Sequence, residues 1–162
     1  MLTFSRLADR VFSEVGGLAQ QMLTPAGQLL TLQEAARRVQ GGLSAWKGLA
    51  DKPELLQEAL RLIDECKTCA VAPETLFAAA EESEDAVLAE KLSGLAQILT
   101  AYERLCEESL PDPRDRLTHL RDRLAESHTL DGAAVYLDGF LGFTVQESAV
   151  VDAMLAAGVP LS

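Results

Sequence analysis

Apolar residues recur at helical spacing through most of the chain. Phe4, Leu7, Ala8, Val11, Phe12 and Val15 mark one face of a first helix. Thr3 or Ser5 can cap it, and Gly16-Gly17 stops it. Thr24-Pro25 opens a second helix, with Thr as N-cap and Pro at the first helical position. Its stripe is Leu29, Leu32, Ala36 and Val39, and Gly41-Gly42 ends it. Residues 44–50 read as a short helix carrying Trp46. A lone tryptophan at helical spacing is a core or domain-interface residue before it is a ligand platform. Pro53 opens a helix whose apolar face is Leu55, Leu56, Ala59, Leu62, Ile63 and Cys66. Pro73-Glu74 starts a shorter one through Leu76 and Phe77.

The acidic run Glu81-Glu82-Ser83-Glu84-Asp85 reads as the first turn of a long helix, where the helix dipole favours carboxylates. Leu88, Leu92, Leu95, Leu99, Tyr102 and Cys106 then form a heptad-like seam. The seam covers fewer than three heptads, so it predicts packing within one domain over a dimeric coiled coil. Asp112-Pro113 caps a further helix containing Leu117, Leu120 and Leu124. A last helix carries Ala149, Val150, Met154 and Leu155 and ends at Gly158-Val159-Pro160.

The period changes once. Ala133 to Leu137 is a short apolar run with β-branched and aromatic members, bounded by Gly132 and Gly139. It predicts a buried strand. Asp138 falls at its C-terminal end, where ligands sit in open α/β sheets. A turn with Gly139 and Gly142 follows, and Thr144-x-x-Glu147 has the spacing of a capping box. A strand needs sheet partners for its backbone groups, and only Leu2–Phe4 offers a candidate. The expected fold is therefore mostly α: a helical bundle inserted into a strand-turn-helix remnant of an α/β core. The expected parts are a leading helix over residues 1–23, the bundle over 24–131 and the strand-turn-helix over 132–162.

Charge narrows the partners. The net charge is −11, and it is uneven: +2 over residues 1–50, −9 over 51–110 and −4 over 111–162. The acidic middle should repel nucleic acid, because phosphate binding needs clustered Lys and Arg. Arg6 and Arg10, one turn apart on the first helix, are the candidate contacts for DNA or a partner. Their simpler reading is a solvated face. Arg114, Arg116, Arg121 and Arg123 are interleaved with acids, which reads as surface pairing and not a phosphate patch.

Cys66, Cys69 and Cys106 read as free thiols of a soluble cytoplasmic protein with no membrane partner. The Cys66/Cys69 spacing lacks a second pair, so no metal site is expected. No nucleophile is placed near His119 or His128, and no catalytic residue is expected. The sequence contains no G-x-x-x-x-G-K-[ST] loop to cradle a triphosphate.

Two stretches carry a family resemblance. Leu2 through Gly17, and Val135-Tyr136-Leu137-Asp138-Gly139-Phe140 with Phe143-Thr144-Val145-Gln146-Glu147, resemble the B subunit of the AddAB helicase–nuclease, the ATP-dependent complex that resects double-strand breaks in many bacteria. Pro73-Glu74 after a helix and Asp112-Pro113 before one fit the same family. The resemblance implies a piece of the helicase-like N-terminal region of a P-loop helicase core. That piece would begin after the phosphate-binding loop and end just past the strand bearing the Mg²⁺-coordinating acid. Active helicases of this superfamily end that strand in Asp-Glu; here the pair is Asp138-Gly139, so the general base is missing. Asp138 is then either a relic of a nucleotide or metal site or a turn former at a strand end. The resemblance also implies an A-subunit partner, double-stranded DNA, and ATP, Mg²⁺ and an iron–sulfur cluster in the parent complex, none of these cofactors being held by this fragment. The other function class consistent with the residues is a free-standing acidic helical interaction module.

Overall fold

The computed structural model describes residues 2–17, 21–42 and 44–162. Seven α-helices form among them: α1 (Phe4–Val15), α2 (Pro25–Val39), α3 (Pro53–Thr68), α4 (Pro73–Glu82), α5 (Ala86–Glu108), α6 (Arg116–Arg123) and α7 (Val145–Ala156). The mostly α expectation holds. The backbone divides into two compact units, residues 21–113 and a discontinuous unit of residues 1–20 with 114–162.

In the 21–113 unit, α5 packs against both α2 and α4, and α2 also against α3. Two neighbours explain why α5 buries more than a narrow seam: Leu95, Ala96, Ile98, Leu99, Tyr102 and Cys106 are all inside. Leu88, the first seam position, is exposed. The acidic run is split between two helices. Glu81 and Glu82 close α4, and the Asp85 carboxylate accepts the N–H groups of Val87 and Leu88 as the N-cap of α5. Trp46 is half-buried against this core, and its indole N–H donates to the Lys91 carbonyl at 3.0 Å.

A buried carboxylate ties this unit together. Asp112 is wholly enclosed. The Gln28 amide of α2 donates to its Oδ1 at 3.0 Å, and the Tyr102 hydroxyl of α5 donates to its Oδ2 at 2.9 Å. Lys67 of α3 brings Nζ to 3.8 Å from Oδ2 and 5.8 Å from the centre of the Tyr102 ring. Burial, then the Asp112 charge, pushes the Tyr102 hydroxyl pKa well above its ordinary value, so it remains a donor. The Leu23 N–H donates to the Pro111 carbonyl at 3.0 Å, so the two ends of the unit lie together.

The other unit packs α1, α6 and α7 around Leu7, Ala8, Val11, Phe12, Leu120, Leu124, Val150 and Met154. Thr3 does not extend a strand. Its hydroxyl accepts the Arg6 N–H and starts α1. The local pairing expected of the arginines forms in part, Arg121 with Asp122 and Arg123 with Glu126, but two of them also reach α1. Arg116 pairs with Asp9, and the Arg123 guanidinium donates to the Val15 and Gly16 carbonyls, which α1 itself leaves open. The Glu14 carboxylate accepts the Ser127 and Thr129 hydroxyls and the His128 N–H. Those bonds, Ser127 first, pull the Glu14 pKa down to about 2. The Asp131 carboxylate, 2.8 Å from His128 Nδ1, raises the His128 pKa.

The predicted strand is corrected. Among the described residues the 133–138 segment makes one isolated parallel bridge, Val135 with Leu161, and Leu2–Phe4 is not its partner. Nor is it buried: Ala134, Tyr136 and Asp138 are exposed. A segment paired along one short edge and packed on one face cannot form a sheet interior.

Two outcomes test these contacts. Asp112→Ala removes the buried carboxylate that accepts from Gln28 and Tyr102 and faces Lys67, and urea denaturation should show a loss of about 3 kcal/mol. The Glu14 pKa is lower folded than unfolded, so its contribution is present above about 4.5 and is lost as pH falls towards about 2. The urea midpoint of the parent chain should drop more steeply across that window than that of Glu14→Gln; parallel curves would remove Glu14 from the acid response.

Candidate functional site

The residues singled out in the sequence around Asp138 fall on one continuous stretch. Val135 donates its N–H to the Pro160 carbonyl at 2.9 Å, and Leu137 donates to the Ser162 carbonyl at 2.9 Å. Ser162 returns its N–H to the Val135 carbonyl at 3.0 Å. These bonds hold 135–137 extended, and Asp138 follows directly after them. Gly139 then turns the chain with φ +80°, a conformation costly for any residue with a Cβ. The turn is held by aromatic packing. Phe4 lies edge-on to Phe140 and Phe143, at 5.7 and 6.2 Å between ring centres.

The capping box forms as read. The Thr144 hydroxyl accepts the Glu147 N–H at 3.2 Å, and the Glu147 carboxylate accepts the Thr144 N–H at 2.8 Å. This bears on metal chemistry. Asp138 and Glu147 line the same cavity, of about 670 Å³, but the Glu147 carboxylate is engaged at the start of α7. Among the described residues no three His, Cys, Asp or Glu side chains come together in a metal-binding group. Mg²⁺ held by one carboxylate relies on substrate phosphates and water for its other ligands. Among the described residues, Asp138 is the one carboxylate lining this cavity that is not engaged in a helix cap. The cysteines fit a cluster no better: Cys106 is buried, Cys69 exposed and Cys66 between them. Burial raises the Cys66 pKa, which keeps it a thiol.

Arg6 and Arg10 are exposed on α1, and among the described residues neither guanidinium makes a hydrogen bond or ion pair. The structure does not bring them into a group with Asp138. The sequence reading missed the groove of Leu2, Phe4, Leu7 and Met154 beside the extended segment. Its signal was present in the Phe4, Phe140 and Phe143 spacing, but contacts across that sequence distance are not visible in a local pattern.

The family model described as "ADDB, N-terminal" matches residues 1–159. The chain belongs to this family. Similar curated proteins are each named as the B subunit of an ATP-dependent helicase/deoxyribonuclease. That of Desulforudis audaxviator is 38% identical over 161 residues, 97% of this chain and 14% of that protein. That of Acetivibrio thermocellus is 33% identical over 156 residues, 96% of this chain and 14% of its own length. The Symbiobacterium thermophilum protein is 35% identical over 160 residues, again 96% and 14%. The chain thus spans about one seventh of the relatives it matches. No helix among the described residues is long and apolar enough to cross a membrane.

Gly139 is where a member of this family can be probed for a second acid. Gly139→Glu places a side chain in the left-handed region and should cost about 1–2 kcal/mol in urea denaturation. A neutral result would mean that the turn relaxes and that the glycine is not required there.

Proposed function

We propose that this chain is a non-catalytic part of the helicase-like region of an ATP-dependent helicase/deoxyribonuclease subunit that acts in double-strand-break resection and recombinational repair. The observation that carries the reading is the Asp138-Gly139 turn in a chain matched by the AddB N-terminal family over residues 1–159. The segment presents one acid where an active motor needs two. The next residue has no carboxylate, and its backbone conformation opposes one. The role left to the chain is to support and position. Its partners are the A subunit of the complex and double-stranded DNA, in the cytoplasm and without a membrane. Arg6 and Arg10 are its candidate contacts to phosphates or to the partner. ATP, Mg²⁺ and the iron–sulfur cluster belong to the parent complex. The free-standing acidic interaction module is the weaker reading, because the matched relatives are about seven times longer.

The test uses the full-length subunit assembled with its partner. Asp138→Ala should leave ATP-dependent resection of duplex ends within about twofold of the parent. Even an outer-sphere partner of a working metal costs roughly 10–100-fold when removed. A loss of that size would overturn the non-catalytic reading and make Asp138 a working ligand.

A further inference from the structure

Two thiols share the last turn of α3. Cys66 lies within the helix, and Cys69 is the residue that caps its end. Cys69 is exposed, while Cys66 is half-buried against the core of the 21–113 unit. Residues three apart on a helix have Cα atoms about 5 Å apart. That lies inside the range of roughly 4.4–6.8 Å that a disulfide spans. Backbone bonds hold the spacing here. The Cys69 N–H donates to the Glu65 carbonyl at 2.9 Å, and the Val71 N–H donates to the Cys66 carbonyl at 2.7 Å. The Cβ atoms of such a pair stand about 5–6 Å apart, and a disulfide needs about 3.5–4.5 Å, so closure asks for a movement of roughly 1–2 Å. Cys69 can supply it. As the capping residue, with φ −89° and ψ 5°, it lies outside the helical run and is free to turn its Cβ towards Cys66.

The two positions suit the two steps of thiol–disulfide exchange. An incoming disulfide meets the exposed sulfur first. The Cys69 thiolate attacks one sulfur of a small disulfide, bonds to it and expels the first external thiolate, which takes up a proton. Cys66 then gives its proton to water, attacks the Cys69 sulfur and releases the second external thiolate. In sum, two protein thiols and one external disulfide give one protein disulfide and two external thiols. Burial first, and the neighbouring Cys69 second, raise the Cys66 pKa, so Cys66 rests as a thiol and acts second. Cys106, on α5, is buried and withheld from solvent.

We propose that Cys66 and Cys69 form a reversible redox modification site at the end of α3, closed by exchange with a low-molecular-weight disulfide of the glutathione class and reopened by thiols. In a reducing compartment such a bond is transient and follows the state of the thiol pool. The turn that closes is also the turn that carries Lys67, whose Nζ lies 3.8 Å from the buried Asp112 carboxylate.

The experiment uses the whole polypeptide as purified from cells, reduced, desalted and equilibrated in glutathione buffers from fully reduced to fully oxidised. Remaining thiols are blocked with N-ethylmaleimide, and the chain is digested with trypsin without reduction. Cleavage after Lys67 separates the two cysteines, so residues 62–67 and 68–91 stay joined only by a Cys66–Cys69 bond. The expected result is that joined pair as the major form in oxidised buffer. It should weigh two hydrogens less than the two thiol peptides together and be released by dithiothreitol, while Cys106 remains blocked by the maleimide. In Cys66→Ser the second step is lost, and glutathione should stay attached to Cys69. In the parent chain, thiols unchanged by oxidised buffer would overturn the proposal. So would a glutathione adduct on Cys69 with no joined pair, or a bond to Cys106 or to a second copy.

Discussion

Every backbone N–H and C=O that leaves water must find a partner, and that constraint sorts this chain into finished and unfinished parts. A helix closes its own ladder, leaving only its ends to be served. Here the N-termini are served locally, by Thr3, Thr24, Asp85 and Thr144, and the C-terminus of α1 by Arg123 from far along the chain. An extended segment has no such self-sufficiency. Residues 134–138 take what Pro160 and Ser162 can give and stop there. The contrast explains how a chain can pack two well-filled cores and still present a groove beside one segment.

The same constraint explains the buried charge. Asp112 is tolerated inside because its oxygens accept from Gln28 and Tyr102 and face Lys67. Three helices, α2, α3 and α5, each send a polar side chain to one point. Such a point adds specificity of arrangement more than net stability, since an apolar replacement of all members can be equally stable.

The helices were legible because their signals are local. The α1 face of Leu7, Ala8, Val11 and Phe12, the Thr24-Pro25 start and the Thr144/Glu147 box all appear where the spacing put them. What failed was non-local. The partner of Val135 is Leu161, after a helix, and no period in the sequence distinguishes Leu161 from Leu2. Lys67 closes the apolar stripe of α3 as a buried cation, which polarity alone would send to the surface. The acidic run has the signal of one helix start because carboxylates favour that position, yet Ser83 interrupts it and Asp85 restarts it. Of the site, the capped helix behind the Gly139 turn was readable; the groove was not, because Phe4 and Phe140 meet only in three dimensions.

The Leu23–Pro111 hydrogen bond carries one more consequence. The stretch between these residues departs from and returns to nearly the same point in space. For a host polypeptide, a detour whose two feet touch is topologically equivalent to a short turn. Its length then hardly enters the closure entropy, which grows only logarithmically even for a flexible loop. Helices in the detour can therefore be lengthened, shortened or exchanged over evolutionary time while the framework that carries it keeps its own geometry. A variable appendage on a fixed frame is what such a junction permits.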